Sequence, residues 1–544
     1  MNEQNMGNFS QTPGNAYLVD NYFHQEEKTT KEIKEETPMT KQMKFQFSFF
    51  GLASMVYALF YTFCLYKNAS GITYPFFVAG TLCYFFLSMK KLGVPYKKGS
   101  LFYMISIILL GISNCCTTSV PLLNMNKLGI FLLSFILMLH TIYQDANWDL
   151  PKYMAAILRT ILNSIACLFS PFHDMASFFD AKKQEKSKKN EYFFYIMLGI
   201  AISIPILAVI IMLLCSADVV FKNIIKNLFS FDISFTDIIR VILLTAVVFL
   251  ASYALLSALC KKTVKEEVSD NKVLEPIIAI IVTGMLSVIY LMFSMVQILY
   301  LFIGNMKLPE GYTYSAYARQ GFFQLLAVCI INLILVLFCL HFFKDNMILK
   351  AILTFISGCT FIMILSSALR MFMYIARYNL TFLRIFVLWS LAVIFLLMTG
   401  VTIYIYLQRF PLFFYSVAIT TVFYIGLSFS HPDYWIARYN LNPVHISYLN
   451  EYDIYDSLQY LSRLSDDAAP VILDASKNPY MLVNIQTMKE LTELDYNYQY
   501  SSDKDSDYWA YVYNYYQDIY KQSKEMNIRN FNFSIFFAKR SAGL

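Results

Sequence analysis

Three arginines, Arg370, Arg377 and Arg384, stand seven residues apart inside a strongly apolar stretch of this chain. Charge inside an apolar segment is costly to bury and is the best default pointer to function in a membrane protein. On one continuous helix, seven residues return to nearly the same face and advance about 10 Å. Three guanidinium groups would then form a cationic stripe suited to phosphate or carboxylate. In a competing arrangement, Asn379 and Thr381 supply a turn and a cap, and two helices meet at the membrane surface. The arginines would then reach lipid headgroups or lock helix ends. An arginine at the bilayer centre costs about 2.5–3.5 kcal/mol on insertion scales, which favours the edge and a structural role.

Two further groups bear on chemistry. Arg319 lies beside Gly321 in Tyr312-Thr-Tyr-Ser-Ala-Tyr-Ala-Arg-Gln-Gly-Phe-Phe-Gln-Leu-Leu, where it could hold a partner helix or an anion while Gly321 permits close backbone approach. His431, Asp433 and Arg438 invite an acid–base reading, but Tyr434, Trp435 and Tyr439 beside them are what an interfacial anchor requires. The remaining histidines, His24, His140, His173, His341 and His445, are scattered, and the ten cysteines lie in or beside apolar segments without a C-x-x-C. No metal site follows from these spacings. Phosphate-loop, dinucleotide, nucleophile-elbow and zincin motifs are absent. The sequence thus points to no catalytic residue and no cofactor, and the enzymatic reading is disfavoured.

The elements that position these residues are apolar helices. The 544 residues are 57% hydrophobic and 15% charged, with mean hydropathy +0.49, against about 25% charged in soluble domains. Segments of spanning length fall at 46–66, 72–89, 101–119, 127–143, 192–214, 238–259, 274–303, 320–342, 347–369, 383–407 and 412–429. Lysines cluster in alternate gaps: Lys90, Lys91, Lys97 and Lys98; then Lys182, Lys183, Lys186, Lys188 and Lys189; then Lys261, Lys262, Lys265 and Lys272. The positive-inside rule places those gaps and the N terminus in the cytoplasm, and eleven spans then place the C terminus outside. The net charge of +6 reads as topology, not as nucleic-acid binding.

Residues 151–180 repeat apolar positions every three or four residues, with Lys152, Arg159, Asn163 and Ser164 opposite. Crossing there would export the five-lysine run, so this reads as an amphipathic helix in the cytoplasmic interface. Asp145, Trp148 and Asp149, with Pro151 opening the helix, read as a cap and an aromatic anchor. A similar face at 217–229 suits the outer interface. Residues 1–44 read as a disordered cytoplasmic tail, 45–429 as the transmembrane domain and 430–544 as an extracytoplasmic domain. From His431 onward, ten basic and fifteen acidic residues give a net −5, opposite in sign to the cytoplasmic loops. Helices are expected at 453–464 and around Trp509 to Tyr520, a short element at 470–475 and a loop at 496–507. The tyrosines there either pack and anchor the domain or bind glycan or peptide by stacking.

Tyr317-Ala-Arg-Gln-Gly-Phe-Phe-Gln-Leu, Leu369-Arg-Met-Phe-Met-Tyr-Ile-Ala-Arg-Tyr-Asn-Leu-Thr-Phe-Leu-Arg and Ile436-Ala-Arg-Tyr-Asn resemble signatures of a bacterial membrane-protein family of unknown function, DUF4173, close to DUF4153. Leu458-Gln-Tyr-Leu-Ser-Arg-Leu-Ser-Asp-Asp-Ala-Ala-Pro is similar to a further element of it. The resemblance runs from Leu274 to Pro470. Gln320 stands where that family carries glutamate and Asn379 where it carries glycine. The resemblance implies an integral membrane protein and supplies no reaction. The expectation is an all-α polytopic bundle of about eleven spans with a small helical extracytoplasmic cap, in a bacterial cell membrane. Its expected role is a non-enzymatic envelope sensor, accessory or scaffold, with the lipid bilayer and an envelope protein or lipid headgroup as partners. The alternative is a transporter or lipid- and anion-handling protein using Arg319, Arg370, Arg377, Arg384 and Arg438.

Overall fold

The computed structural model describes residues 36–68, 70–184, 235–264, 266, 272–299, 321–447, 449, 451–481, 484–493 and 504–544, with isolated positions between 210 and 221. Outside the described residues lie most of the expected segment 192–214 and of the helix at 217–229, the first 35 residues of the expected tail, Arg319 and the side chain of Arg377.

Apolar residues on all sides favour helices that bury against one another and against lipid. The described helices are α1 (Pro38–Phe45), α2 (Phe47–Leu65), α3 (Thr73–Lys91), α4 (Ser100–Cys116), α5 (Val120–Ile142), α6 (Leu150–Ala166), α7 (Ser170–Gln184), α8 (Phe235–Cys260), α9 (Pro276–Gln297), α10 (Phe322–Phe342), α11 (Met347–Arg377), α12 (Phe382–Tyr406) and α13 (Leu412–Phe429). After them come α14 (Pro432–Asn440), α15 (Pro443–Ile446), α16 (Glu451–Leu461), a 3-10 turn (Asp466–Ala468), α17 (Ala469–Ile472), α18 (Ile485–Glu493), α19 (Lys504–Glu525) and α20 (Phe533–Ser541). No strand occurs among the described residues.

Eight of these helices, α2, α5 and α8 to α13, are long and apolar enough to cross a membrane. The protein is therefore an all-helical, multi-pass membrane protein. Two expected spans fall short of that standard. α4 has 17 residues, and α3 is diluted by Thr73, Tyr74, Thr81, Tyr84 and Ser88. The expected tail is also partly structured: Thr37 accepts a hydrogen bond from the Thr40 amide and caps α1, Pro38 opens it, and Met43 is buried.

Among the described residues, most of the buried apolar packing lies in three regions. One joins α1 to α8 with Tyr424 and Leu427 of α13. A second lies among α9, α10, α11 and α12. The third belongs to the C-terminal domain. The two membrane clusters meet where Trp389 of α12 donates to the Phe423 carbonyl, 3.0 Å, and where a Cβ on Gly400 would come within 2.3 Å of the Tyr415 ring. Small residues at such contacts let helices approach without a clash.

The helix ends define two faces of the bundle. At one, Thr37 donates to the Cys260 carbonyl, the Leu274 and Phe343 backbones pair, and Lys97 donates to the His140 and Tyr143 carbonyls at 2.5 Å each. Lys90, Lys91, Lys98, Lys261, Lys262 and Lys344 stand at helix ends of this face. Trp148 just before α6 donates to the Glu266 carbonyl, and Asn163 near its far end reaches Thr263; taken together, α6 and α7 are long and apolar enough to count as one broken span. α6 and α7 are bent by 59°, and the Asp149 side chain caps α6 through the Lys152 amide, 3.0 Å. The opposite face carries the C-terminal domain.

Candidate functional site

The C-terminal domain grips three loops of the bundle with buried polar side chains. The first loop, between α2 and α3, is held by the segment before α20. Asn68 donates to the Arg529 carbonyl at 2.9 Å, and the Ile72 amide donates to the Phe531 carbonyl at 2.7 Å. A Cβ on Gly71 would lie 2.6 Å from Arg529 O and from the Asn530 Cα, so only glycine admits this crossing. Asn532, fully buried, donates to the Ser70 carbonyl at 2.9 Å and to the Thr117 carbonyl at 3.1 Å, stitching the first loop to the second. Its Oδ1 also caps α20 through the Ser534 amide.

The second loop, between α4 and α5, meets the chemistry-bearing residues. Thr117 donates to Asp467 Oδ2 at 2.5 Å, and Ser534 donates to Asp467 Oδ1. His431 Nδ1 lies 3.4 Å from the same carboxylate. The Asp466 amide donates to Thr118 Oγ1 at 2.9 Å. Asp433 Oδ2 accepts from the Ser465 hydroxyl at 2.6 Å and from its amide at 3.3 Å. Asp433, Asp466 and Asp467 are all more than nine-tenths buried. His431 joins α13 to α14 at φ 48°, left-handed and directly before Pro432, a conformation that costs a non-glycine residue about 1–3 kcal/mol and that only a well-determined surrounding sustains.

Three neighbouring carboxyl groups are buried together, which raises the cost of charging them all at once. Burial pushes the Asp466 carboxyl up to about 6, with Asp467 and Asp518 adding repulsion. Burial likewise raises Asp433, against the Ser465 hydrogen bond. The Asp467 carboxylate raises the proton affinity of His431. Asp466 Oδ2 is buried and finds no hydrogen-bond partner among the described residues. The surroundings thus favour the protonated forms of Asp466 and Asp433 and the charged form of His431. No group of three His, Cys, Asp or Glu side chains among the described residues is arranged to hold a metal ion.

The third loop, between α11 and α12, contains the arginine motif. α11 ends at Arg377 and α12 begins at Phe382, so Arg370 and Arg384 occupy different helices and the continuous cationic stripe does not form. The turn is fixed from outside. Asn440 Oδ1 accepts from the Leu380 amide at 2.7 Å while its Nδ2 donates to the Leu380 carbonyl at 2.9 Å. Tyr460 accepts from the Phe382 amide, 3.0 Å. Arg384 lies over the Tyr374 ring, 4.2 Å from its centroid. Arg370 is buried and donates to Gln297 Oε1 at 3.1 Å, an acceptor shared with Ser366. Gly321 has φ 126°, and a Cβ there would sit 2.9 Å from Arg370 Nη1. Arg438 and Trp435 are exposed on α14.

Set beside known proteins, residues 104–475 match the family model described as domain of unknown function (DUF4153). The chain belongs to the DUF4153 family. Neither the curated proteins nor the solved structures contain a match to it. The match begins well before the Leu274 limit expected from the motifs, and it takes in α5 to α8 as well as the second membrane cluster. It is to the group placed next to DUF4173, not to DUF4173 itself.

In this DUF4153 protein each motif has a local physical task. Gly321 makes room for Arg370, Asn440 of the short Ala-Arg-Tyr-Asn element clamps the Leu380 turn, and Ser465 to Asp467 form the carboxylate cluster. Among the domain's tyrosines, Tyr511, Tyr513, Tyr515 and Tyr516 are buried in its core, and Trp509 stacks on Tyr513 with centroids 4.9 Å apart. Asn440→Ala is expected to leave two backbone groups of Leu380 unpaired, each worth about 1–3 kcal/mol when buried. Faster hydrogen exchange confined to residues 378–382, with the rest of α11 unchanged, is the result to look for.

Proposed function

We propose that this DUF4153 protein is a non-enzymatic component of the bacterial cell envelope, a sensor whose C-terminal domain docks outside the membrane through a proton-binding latch. The observation that carries this reading is the group of buried Asp433, Asp466 and Asp467 with the partly exposed His431, which joins the domain to the α4–α5 loop. A group that binds protons more tightly when docked couples docking to its surroundings. Lysines at the opposite face support a cytoplasmic N terminus and an extracytoplasmic C terminus. The contacts at both ends of α6 support an interfacial placement of α6 and α7 on the cytoplasmic side. The motifs support the narrower DUF4173 grouping. Beyond the lipid bilayer, the partner we expect is another envelope protein that reads the position of this domain.

Anion transport through the arginines makes a different prediction. Arg370 and Arg384 are engaged with Gln297 and Tyr374, which supports a structural role for both. Proteoliposomes of the purified protein are expected to pass chloride and phosphate no faster than protein-free vesicles. In the same vesicles, proteolysis of the C-terminal domain should change with external pH. Flux that disappears in Arg370→Gln or Arg384→Gln, in protein that still folds, would overturn the sensor reading.

A further inference from the structure

On the lysine-rich face, away from the latch, a crevice of about 520 Å³ opens between α3 and α4. Ala79, Cys83 and Lys90 of α3 line one side, Met104 and Ile108 of α4 the other, and Thr141 of α5 closes the back. Its size falls in the range of roughly 300–1,000 Å³ typical of pockets that hold small molecules. From Ala79 to Lys90 the helix rises about 16 Å at 1.5 Å per residue. That depth is about half of the roughly 30 Å hydrocarbon core, the thickness of one leaflet.

Chemistry changes along the crevice. Its inner wall is apolar, with Leu82, Phe86 and Ile108, whereas its mouth carries Lys90 and Tyr96, both exposed. Lys98, also exposed, follows two residues after Tyr96. The neighbouring lysines are otherwise engaged: Lys97 donates to the His140 and Tyr143 carbonyls and lies 3.8 Å from Asp145, and Lys91 lies over the Phe49 ring. Lys97 thus fixes the start of α4 against the end of α5, which keeps the back wall in place. An apolar slot one leaflet deep with ammonium groups at its rim matches one kind of molecule, a lipid with an anionic headgroup.

We infer that this crevice is a binding site for an anionic glycerophospholipid, one acyl chain between α3 and α4 and the phosphate at Lys90. A second copy of the chain fits less well, since a protein side chain would fill only part of a slot of this depth. The test is native mass spectrometry of the full chain in detergent, titrated with equal amounts of phosphatidylglycerol and phosphatidylcholine. Wild type is expected to retain phosphatidylglycerol about tenfold in preference. Lys90→Gln should reduce that preference several-fold while chain binding persists, and Ala79→Phe, which fills the inner end, should weaken retention of both lipids. Equal retention of the two lipids by wild type would overturn the proposal without reference to any variant. So would unchanged binding in an Ala79→Phe protein that elutes as the wild type does.

Discussion

Asp467→Ala is expected to release the C-terminal domain from the membrane bundle. One carboxylate accepts from Thr117 of the α4–α5 loop and Ser534 of α20 and faces His431 at the α13–α14 junction, so a single side chain joins three parts of the chain. Its removal leaves the Thr117 and Ser534 hydroxyls facing a small void in a buried site. Deleting one partner of a buried charged group typically costs about 3–5 kcal/mol, or on the order of a hundred- to a few-thousand-fold in the population of the released state. Limited proteolysis should show it as rapid cleavage near Ser430 with the membrane helices still protected. Asp467→Asn keeps the shape and part of the hydrogen bonding, so its effect should be smaller. Wild-type proteolysis in Asp467→Ala would mean that this contact does not hold the domain.

Raising the pH from about 4 to about 7 is expected to loosen the same contact. In the docked arrangement burial pushes the Asp466 carboxyl up to about 6, against about 3.9 for a solvated aspartate. The docked state therefore holds the proton that the released state has already lost. Its contribution is complete below about 4, falls as pH rises towards about 6, and is gone above that. Asp433, also raised by burial, acts with the same sign. So does His431, whose charged form is favoured by Asp467 and whose contribution is lost as pH rises through its elevated value. Hydrogen exchange at Ser465 to Leu473, corrected for the intrinsic pH dependence of exchange, should show protection falling with rising pH. Asp466→Asn, neutral throughout, should flatten the part between about 4 and 6. Protection that is constant or rises with pH in wild type would contradict the latch.

Much of the scaffold was legible because hydropathy is a local property. Ten of the eleven expected segments coincide with described helices, since a run of apolar residues has few alternatives in a membrane. In the C-terminal domain, apolar spacing marked α16 and α19, where Leu458, Leu461, Tyr513 and Tyr516 are buried. α14 was obscured by its own aromatics. Trp435 and Tyr434 suggested an anchor, yet the buried positions are Asp433, Ile436, Ala437 and Asn440, a helical period that includes two polar residues. The clamp could not be read from spacing at all: Asn532 and Thr117 are 415 residues apart. Asp466 and Asp467 carried a faint signal, two adjacent acids before Ala-Ala-Pro in a motif-like stretch. Nothing local indicated that both would be buried. The arginine motif was legible in its structural form: Asn379 and Thr381 marked a turn between two helices, as found, whereas the seven-residue stripe needed one continuous helix.

Docking and sidedness can be tested together by one cross-link. Thr118 and Ser534 approach with their hydroxyl oxygens 3.4 Å apart, which brings the two side chains within reach of a disulfide. Thr118→Cys and Ser534→Cys should be combined in a chain whose ten native cysteines are replaced, with a protease site inserted near Ser430. Because the contact is proposed to lie outside the cytoplasm, the disulfide should form in intact cells without added oxidant, and the cleaved halves should stay joined until reduced. Halves that separate even after oxidation of purified, folded protein would contradict the docking of the C-terminal domain. Linkage only after added oxidant in permeabilised cells would contradict its extracytoplasmic location.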